Sequence, residues 1–237
     1  MPRLVCLADT HGRHGSLRGP LAVPDGDVLV FAGDACTRGT AEEWAQFCGW
    51  LALLPHAHKV VVAGNHDWPV QPSRPAWGVQ ARYGPASVAA ARERVLAAGA
   101  VLVEDAEVVV AGLRVWGSPW VPSFNGWAFN LPRGGAALAS VWGAMPPGLD
   151  VLVTHTPSFG RLDRTEDGRR VGCERLAERL AALDASSTGP RVHVHGDIHE
   201  SGGVQGPPAG ARGRLTVNAA VVDVAYRVVR APVVVEV

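Results

Sequence analysis

The 237-residue chain lacks most of what marks an extreme class of protein. It has only four cysteines, Cys6, Cys36, Cys48 and Cys173, and no CxxC spacing among them. That excludes a disulfide scaffold and leaves buried, reduced thiols, as in a cytosolic protein, as the expectation. Net charge is absent too: Lys+Arg and Asp+Glu number 22 each. No global positive field therefore exists to steer nucleic acid or an anionic membrane surface, and strong nucleic-acid binding is not expected. No apolar run approaches the roughly 18 residues of a membrane span. The N-terminus shows no basic stretch followed by a long apolar one, so no signal peptide is expected and the cytoplasm is the expected location. Lysine is nearly missing, because Lys59 stands alone and the other positive charges are arginine. With abundant Ala, Gly and Val, this composition suggests a bacterial gene of high GC content.

What is present is an ordinary globular balance, 47% hydrophobic and 19% charged, which excludes wholesale disorder. A chain of this length buries roughly 70–75% of its unfolded surface, and one domain over residues 1–237 is expected. Short β-branched runs alternate with Ala/Leu-rich helical patterns. Strands are expected at residues 3–8, 27–32, 59–63, 101–103, 108–110, 113–116, 151–154, 191–195, 215–218, 221–230 and 233–237. Helices are expected at 40–54, with Thr40 as N-cap, at 87–98, which Gly99 can end, and at 173–183. Residues 202–213 are rich in Gly and Pro and read as a loop. The edge of the last strand could support a homodimer. This order of elements fits a parallel or mixed sheet core with helices outside.

Open α/β sheets present ligands at the carboxyl ends of their strands, and there the chemistry becomes visible. The first strand runs into Asp9-Thr10-His11, the second into Gly33-Asp34, and the third into Gly64-Asn65-His66-Asp67. The strand at 151 runs into His155, and the one at 191 into Gly196-Asp197-Ile198-His199. Singly, each has an ordinary reading as a turn or cap. Jointly, Asp, His and Asn at successive strand ends converge on one edge. Their oxygen and imidazole donors suit Mn²⁺, Fe²⁺ or Zn²⁺, and the absence of thiols argues against a closed structural zinc. Residues two apart in extended chain point the same way, so Asp9 with His11, and Asp197 with His199, can each grip one ion. The two oxygens of Asp34 can bridge a pair.

The ordered set DxH, GD, GNHD, H and GxxH resembles the calcineurin-like metallophosphoesterase superfamily. That resemblance implies a four-layer α/β/β/α metallophosphoesterase sandwich, with two mixed sheets flanked by helices. It implies one ion on Asp9, His11, Asp34 and His199, and a second on Asp34, Asn65, His155 and residue 197. His66 would be the general acid, with Asp67 orienting its ring. The segments from Gly117 to Trp120 and from Phe124 to Asn130, with Arg170 to Cys173 and Ile198 to Glu200, resemble the metallophosphoesterase-domain-containing group. That narrower resemblance implies a phosphodiesterase acting on cyclic nucleotides, 2′,3′ or 3′,5′, with nucleotide monophosphate binding. The expected reaction is attack of metal-activated hydroxide on phosphorus, with Mn²⁺ as the first choice of metal and Fe²⁺, Zn²⁺, Mg²⁺ or Ni²⁺ as alternatives. A mononucleotide-binding module without catalysis and a phosphomonoesterase are the rival readings.

Asp197 departs from the family, where His is usual and Gly occurs in some members with low activity. A carboxylate can still bind a hard cation, but its charge weakens the Lewis acidity of the ion. Modest, strongly Mn²⁺-dependent activity is the expectation. Among Trp120, Phe124, Trp127 and Phe129, most are expected to pack and one to line the pocket. Asn125, Trp127 and His14 are candidate substrate contacts. Arg161 and Arg164 follow the His155 loop, but exposed arginines are common and neither is assigned. His193 and His195 are expected to be buried and hydrogen-bonded. His56 and His58 read as surface residues.

Overall fold

The structure is a computed structural model that describes residues 1–207 and 213–237. Residues 208–212 of the expected loop lie outside the described residues. The first sheet contains β1 (Arg3–Leu7), β2 (Val28–Ala32), β3 (His58–Val62) and β4 (Val101–Leu102). The second contains β5 (Ala106–Val110), β6 (Leu113–Ser118), β9 (Val151–Thr154), β10 (Val192–His195), β11 (Gly203–Gln205) and β12 (Leu215–Asn218). Short strands β7 (Val121–Pro122) and β8 (Asn130–Leu131) pair with each other, and β13 (Val233–Glu236) returns to the first sheet. The strand orders are β13-β1-β2-β3-β4 and β11-β12-β10-β9-β6-β5. β1 through β4 run parallel, as do β6, β9, β10 and β12, while β13, β5 and β11 pair antiparallel at edges.

The alternation of each strand builds the layers. Cys6, Val30, Val60 and Val62 of the first sheet meet Val115, Val153, Val194 and Val217 of the second in one buried cluster. The other face of the first sheet, with Leu29, Phe31 and Val61, joins Trp44, Phe47 and Leu51 of α1 (Ala41–Ala52) and Val95 of α2 (Pro85–Ala97). The other face of the second sheet, with Trp116 and Leu152, joins Trp142 of α3 (Ala136–Gly143) and Leu176, Leu180 and Leu183 of α4 (Glu174–Ala185). The result is the expected α/β/β/α sandwich of two mixed sheets. β2 is apolar at all five positions because both of its faces are covered. Thr40 and Glu43 form a capping box that starts α1, and Gly99 at φ +72° follows α2. All four cysteines are buried and free.

Two expected elements differ, and one helix, α3, goes beyond the sequence reading. Residues 221–230 form a tight turn, not a strand. Asp223 accepts the backbone N–H of Ala225 and Arg227 and binds the Arg227 guanidinium, so the chain reverses with Tyr226 at φ +58°. A carboxylate that satisfies local backbone donors outcompetes a ladder here. The loop at 202–213 contains β11, which pairs with β12. α3 carries no polar N-cap, since Gly135 precedes it, and its eight residues form a helix because Leu138, Val141 and Trp142 bury one stripe. Among the histidines, His56 is buried and bonds the Pro24 carbonyl at 2.9 Å, whereas His58 is exposed. His193 and His195 are both fully buried, and His193 bonds Thr154.

Candidate metal centre and cavity

The carboxyl ends of β1, β2, β3, β9 and β10 all emerge on the same edge of the two packed sheets. The sheets are pinned there by His155, whose Nδ1 lies 2.8 Å from the Ala32 carbonyl across the interface. The backbone at this edge is strained. Asp9, His11, Asp34 and Asp197 all have positive φ, at 56°, 42°, 61° and 70°. Such conformations cost energy for non-glycine residues and cluster where side chains must converge. Two motif glycines answer to space. A Cβ on Gly64 would fall 2.2 Å from Asp34 Oδ1, and one on Gly33 would fall 2.3 Å from His155 Nδ1.

The side chains meet around Asp34. Its Oδ1 is 3.3 Å from His155 Nε2, and its Oδ2 is 3.5 Å from His11 Nε2. His155 Nε2 also lies 3.0 Å from Asn65 Oδ1 and 3.9 Å from Asp197 Oδ1. On the other side, His11 Nε2 is 3.2 Å from His199 Nε2, which is 3.5 Å from Asp9 Oδ1. Three sets could each hold an ion: Asp9-His11-His199, His11-Asp34-His66 and Asp9-Asp34-His155. Asp197 approaches His155 without joining such a set.

Electrostatics favours cations here. The ring nitrogens Nδ1 of His11 and His155 are bonded to the carbonyls of Cys36 and Ala32, so a proton sits on each Nδ1 and Nε2 is the nitrogen that a metal ion would take. Burial pushes His11 down to about 4, against the pull of Asp34 and Asp9, so it is neutral at pH 7. Burial also pushes the Asp197 carboxyl up to about 6, with Asp34 and Asp9 adding to this against His155. For His155, burial opposes charging, but Asp34 wins by charge and hydrogen bond and holds the ring well above its ordinary value. A divalent ion would displace that proton and relieve the crowding of carboxylates. The donor set, imidazole nitrogen with carboxylate and amide oxygen, fits a borderline-to-hard divalent ion.

His66 stands beside this group, with Nε2 3.9 Å from Asp34 Oδ2. Its ring is not oriented by Asp67. His66 Nδ1 is 2.6 Å from the Thr37 carbonyl. Asp67 instead accepts the backbone N–H of Gly64 at 2.8 Å, Asp34 at 2.9 Å and Cys36 at 3.0 Å. It ties the second and third motifs together, bonding Gly64 three residues back in its own loop as well as Asp34 and Cys36 in the other. The other face of His66 stacks on Trp127, with centroids 4.0 Å apart and planes at 24°. Trp127 therefore supports the imidazole and does not line the cavity.

A cavity of about 510 Å³ opens beside the ligands, with Asn65, Asp197 and His199 in its wall. Phe124, 68% exposed, and Tyr226 supply its aromatic surfaces, and Arg133 adds a cation. Of the aromatic segment, Trp120 and Phe129 pack in the core, and Phe124 is the one that lines the cavity. Asn125 is exposed and outside the lining. His14 is buried against Trp50 and Phe47, and burial lowers its pKa; it does not line the cavity.

Two residues escaped the sequence. The Tyr226 ring stands edge-on to His11 at 4.6 Å and to His199 at 5.5 Å. Asn218, 1% exposed, donates Nδ2 to the Ile198 carbonyl at 2.8 Å and to the Leu162 carbonyl at 3.3 Å. It thereby braces the loop that carries His199. Nothing local marks either residue, apart from the position of Asn218 at a strand end.

Comparison with known proteins agrees with this geometry. A family model described as calcineurin-like phosphoesterase matches residues 2–201. Metallophosphoesterase domain-containing protein 1 of Homo sapiens is 40% identical over 243 residues, covering 99% of this chain and 70% of that protein. UPF0046 protein C25E10.12 of Caenorhabditis elegans is 32% identical, covering 98% of this chain and 79% of that protein. The crystal structure of phosphopantetheinyl hydrolase from Mycobacterium tuberculosis shares the fold, with a TM-score of 0.57 at 18% identity, covering 95% of this chain and 91% of that one. No helix among the described residues is long and apolar enough to cross a membrane. With strand-end donors gathered on one edge of a double sheet, and relatives matched along nearly the whole chain, this protein belongs to the calcineurin-like phosphoesterase family and is a metal-dependent phosphoester hydrolase.

Proposed function

We propose that the protein is a dinuclear phosphodiesterase acting on small phosphodiesters, with 2′,3′- or 3′,5′-cyclic nucleotides as the favoured substrates. One observation carries the reading: the two oxygens of Asp34 face different imidazoles, His155 at 3.3 Å and His11 at 3.5 Å. That is the disposition of a carboxylate shared by two ions. Asp9, His11, Asp34 and His199 would hold one ion, and Asp34, Asn65, His155 and Asp197 the other, with Mn²⁺ favoured by the oxygen-rich set. When bound, such ions neutralise the phosphoryl oxygens and lower the pKa of the attacking water.

The remaining roles belong to the chain. Thr37 accepts the Nδ1 proton of His66, so the proton that moves is the one on Nε2, which faces the centre. Imidazolium is a suitable acid for an alkoxide near neutral pH. Trp127 fixes the ring plane by stacking on it. The cavity between Phe124 and Tyr226 suits a base and sugar, which supports a nucleoside-sized ester.

Steady-state hydrolysis with Mn²⁺ tests this proposal. The panel is an aryl phosphodiester, an aryl phosphomonoester, 2′,3′-cAMP and 3′,5′-cAMP. Turnover of the diesters is the expected result. Turnover of the monoester alone would replace the reading with a phosphomonoesterase. AMP binding by metal-loaded, folded protein without any turnover would replace it with a mononucleotide binder.

Asp197 makes a separate prediction. Asp197→His removes a negative charge from the second ion and supplies a borderline donor in its place. Zn²⁺ affinity should rise about 10-fold relative to that for Mn²⁺. Metal titration with and without turnover reads this; unchanged affinity and rate would remove Asp197 from the ligand set. Asn218→Ala should weaken retention of the His199-bound ion by about 10- to 100-fold through slack in the Ile198 segment. Equilibrium dialysis measures that loss, and a fully retained ion would reduce Asn218 to a purely structural part.

A further inference from the structure

A second cavity, of about 250 Å³, lies between α4 and the turn at 158–161 and shares no lining residue with the cavity at the metal centre. Its wall contains Arg161, Arg214, Asp184, Ser158 and Phe159. Arg214 is only 8% exposed. Its Nη2 bonds Asp184 and the Leu180 carbonyl, while its Nη1 has no acceptor among the described residues. Arg161 donates to the Gly206 carbonyl at 3.1 Å and makes no salt bridge to a carboxylate among the described residues. Residues 208–212, which are Pro, Ala, Gly, Ala and Arg, contain no acid that could supply one. Two guanidiniums thus share the cavity with one carboxylate, an excess of one positive charge. Burial, then repulsion from Arg214, pulls the Arg161 pKa down against the opposing charge of Asp184.

The sheet beneath is polar as well. His193 on β10 stands opposite Thr216 on β12. The Thr154 hydroxyl gives its single proton to the Thr156 carbonyl at 2.6 Å, so it accepts from His193 Nε2 at 2.8 Å. His193 Nδ1 is therefore a bare acceptor, and neither it nor the Thr216 hydroxyl has a partner among the described residues. Buried groups of this kind are normally satisfied; neither of the two lines the cavity, but His193 feels the charges of Arg214 and Arg161.

We propose that this cavity is a second, metal-independent binding site for a phosphate group, held by Arg161 and Arg214. The guanidinium fork matches phosphate in geometry as well as charge. The exposed side of Phe159, which is 42% exposed, offers a face for an organic substituent on that phosphate. The site stands independently of the reading of the metal centre.

Calorimetric titration with inorganic phosphate and with AMP tests it, on the Mn²⁺-loaded protein and again after chelation. Phosphate binding that survives chelation is expected. Arg161→Ala should weaken that class at least about 10-fold while leaving the melting temperature and the hydrolytic rate unchanged. Arg161→Lys, which keeps the charge and loses the fork, should recover it in part. Tighter binding of AMP than of phosphate would identify a mononucleotide as the occupant, and equal binding would identify free phosphate. Absence of binding after chelation, or binding indifferent to Arg161→Ala, would overturn the site.

Discussion

Asp34→Ala should abolish hydrolysis, with kcat down at least about 1,000-fold, or ~4 kcal/mol of barrier. Among the described carboxylates, Asp34 comes nearest to both imidazole groups, with oxygens 3.3 Å from His155 and 3.5 Å from His11. Losing it removes a donor from each proposed ion at once, and metal analysis should show bound Mn²⁺ falling from two ions per chain to fewer than one. The fold should survive. Asp34 sits among Asp9, Asp67 and Asp197, and in the metal-free chain its removal relieves repulsion that already raises Asp67, next to burial, to about 6. Circular dichroism and the melting temperature of the metal-free protein check this. A variant that keeps two ions and its activity would refute the shared-carboxylate arrangement.

His66→Asn should act on the leaving group and not on the metals. The imidazole Nε2 faces the centre while Nδ1 is held by Thr37. A general acid contributes roughly 100- to 10,000-fold, and only where the departing oxygen needs a proton. Turnover of a cyclic nucleotide, whose ribose oxygen leaves as an alkoxide, should therefore fall by that factor. Turnover of a nitrophenyl diester, whose leaving group departs as a stable anion, should fall far less, and bound metal should stay at two ions. Equal loss on both substrates, with metal retained, would make His66 a substrate-positioning residue and leave the acid unassigned.

The legible part of this protein lies where local pattern suffices. β2 reads as a strand because five consecutive apolar residues are covered on both faces. α1 reads as a helix because its cap and its stripe agree. The donors at 9, 11, 34, 65, 155, 197 and 199 are visible because each follows an apolar strand, and parallel strands bring their carboxyl ends to one side. Where local chemistry competes with pattern, the reading fails. The apolar run from Val221 promises a strand, yet Asp223 folds it into the turn that delivers Tyr226 to the site. His14 reads as a substrate contact in a glycine-rich loop, but α1 closes over it with Phe47 and Trp50.

The sequence by itself determined a parallel or mixed sheet core with helices outside, the strand ends that bear ligands, and the departure at Asp197, because residue type and two- or four-residue periodicity are local properties; the double sheet was implied only by the family resemblance. Only the tertiary structure decided which partner each side chain takes. Asp67 turned to the backbone of the Asp34 loop, Thr37 took the proton of His66, Trp127 went to the imidazole, and Phe124 to the cavity. Those choices depend on the distance between two sheets and on loops brought together from 30 to more than 100 residues apart, as His155 and Ala32 show at |i−j| = 123. A hydrogen bond rewards whichever donor packing brings within reach, and packing is a property of the whole chain.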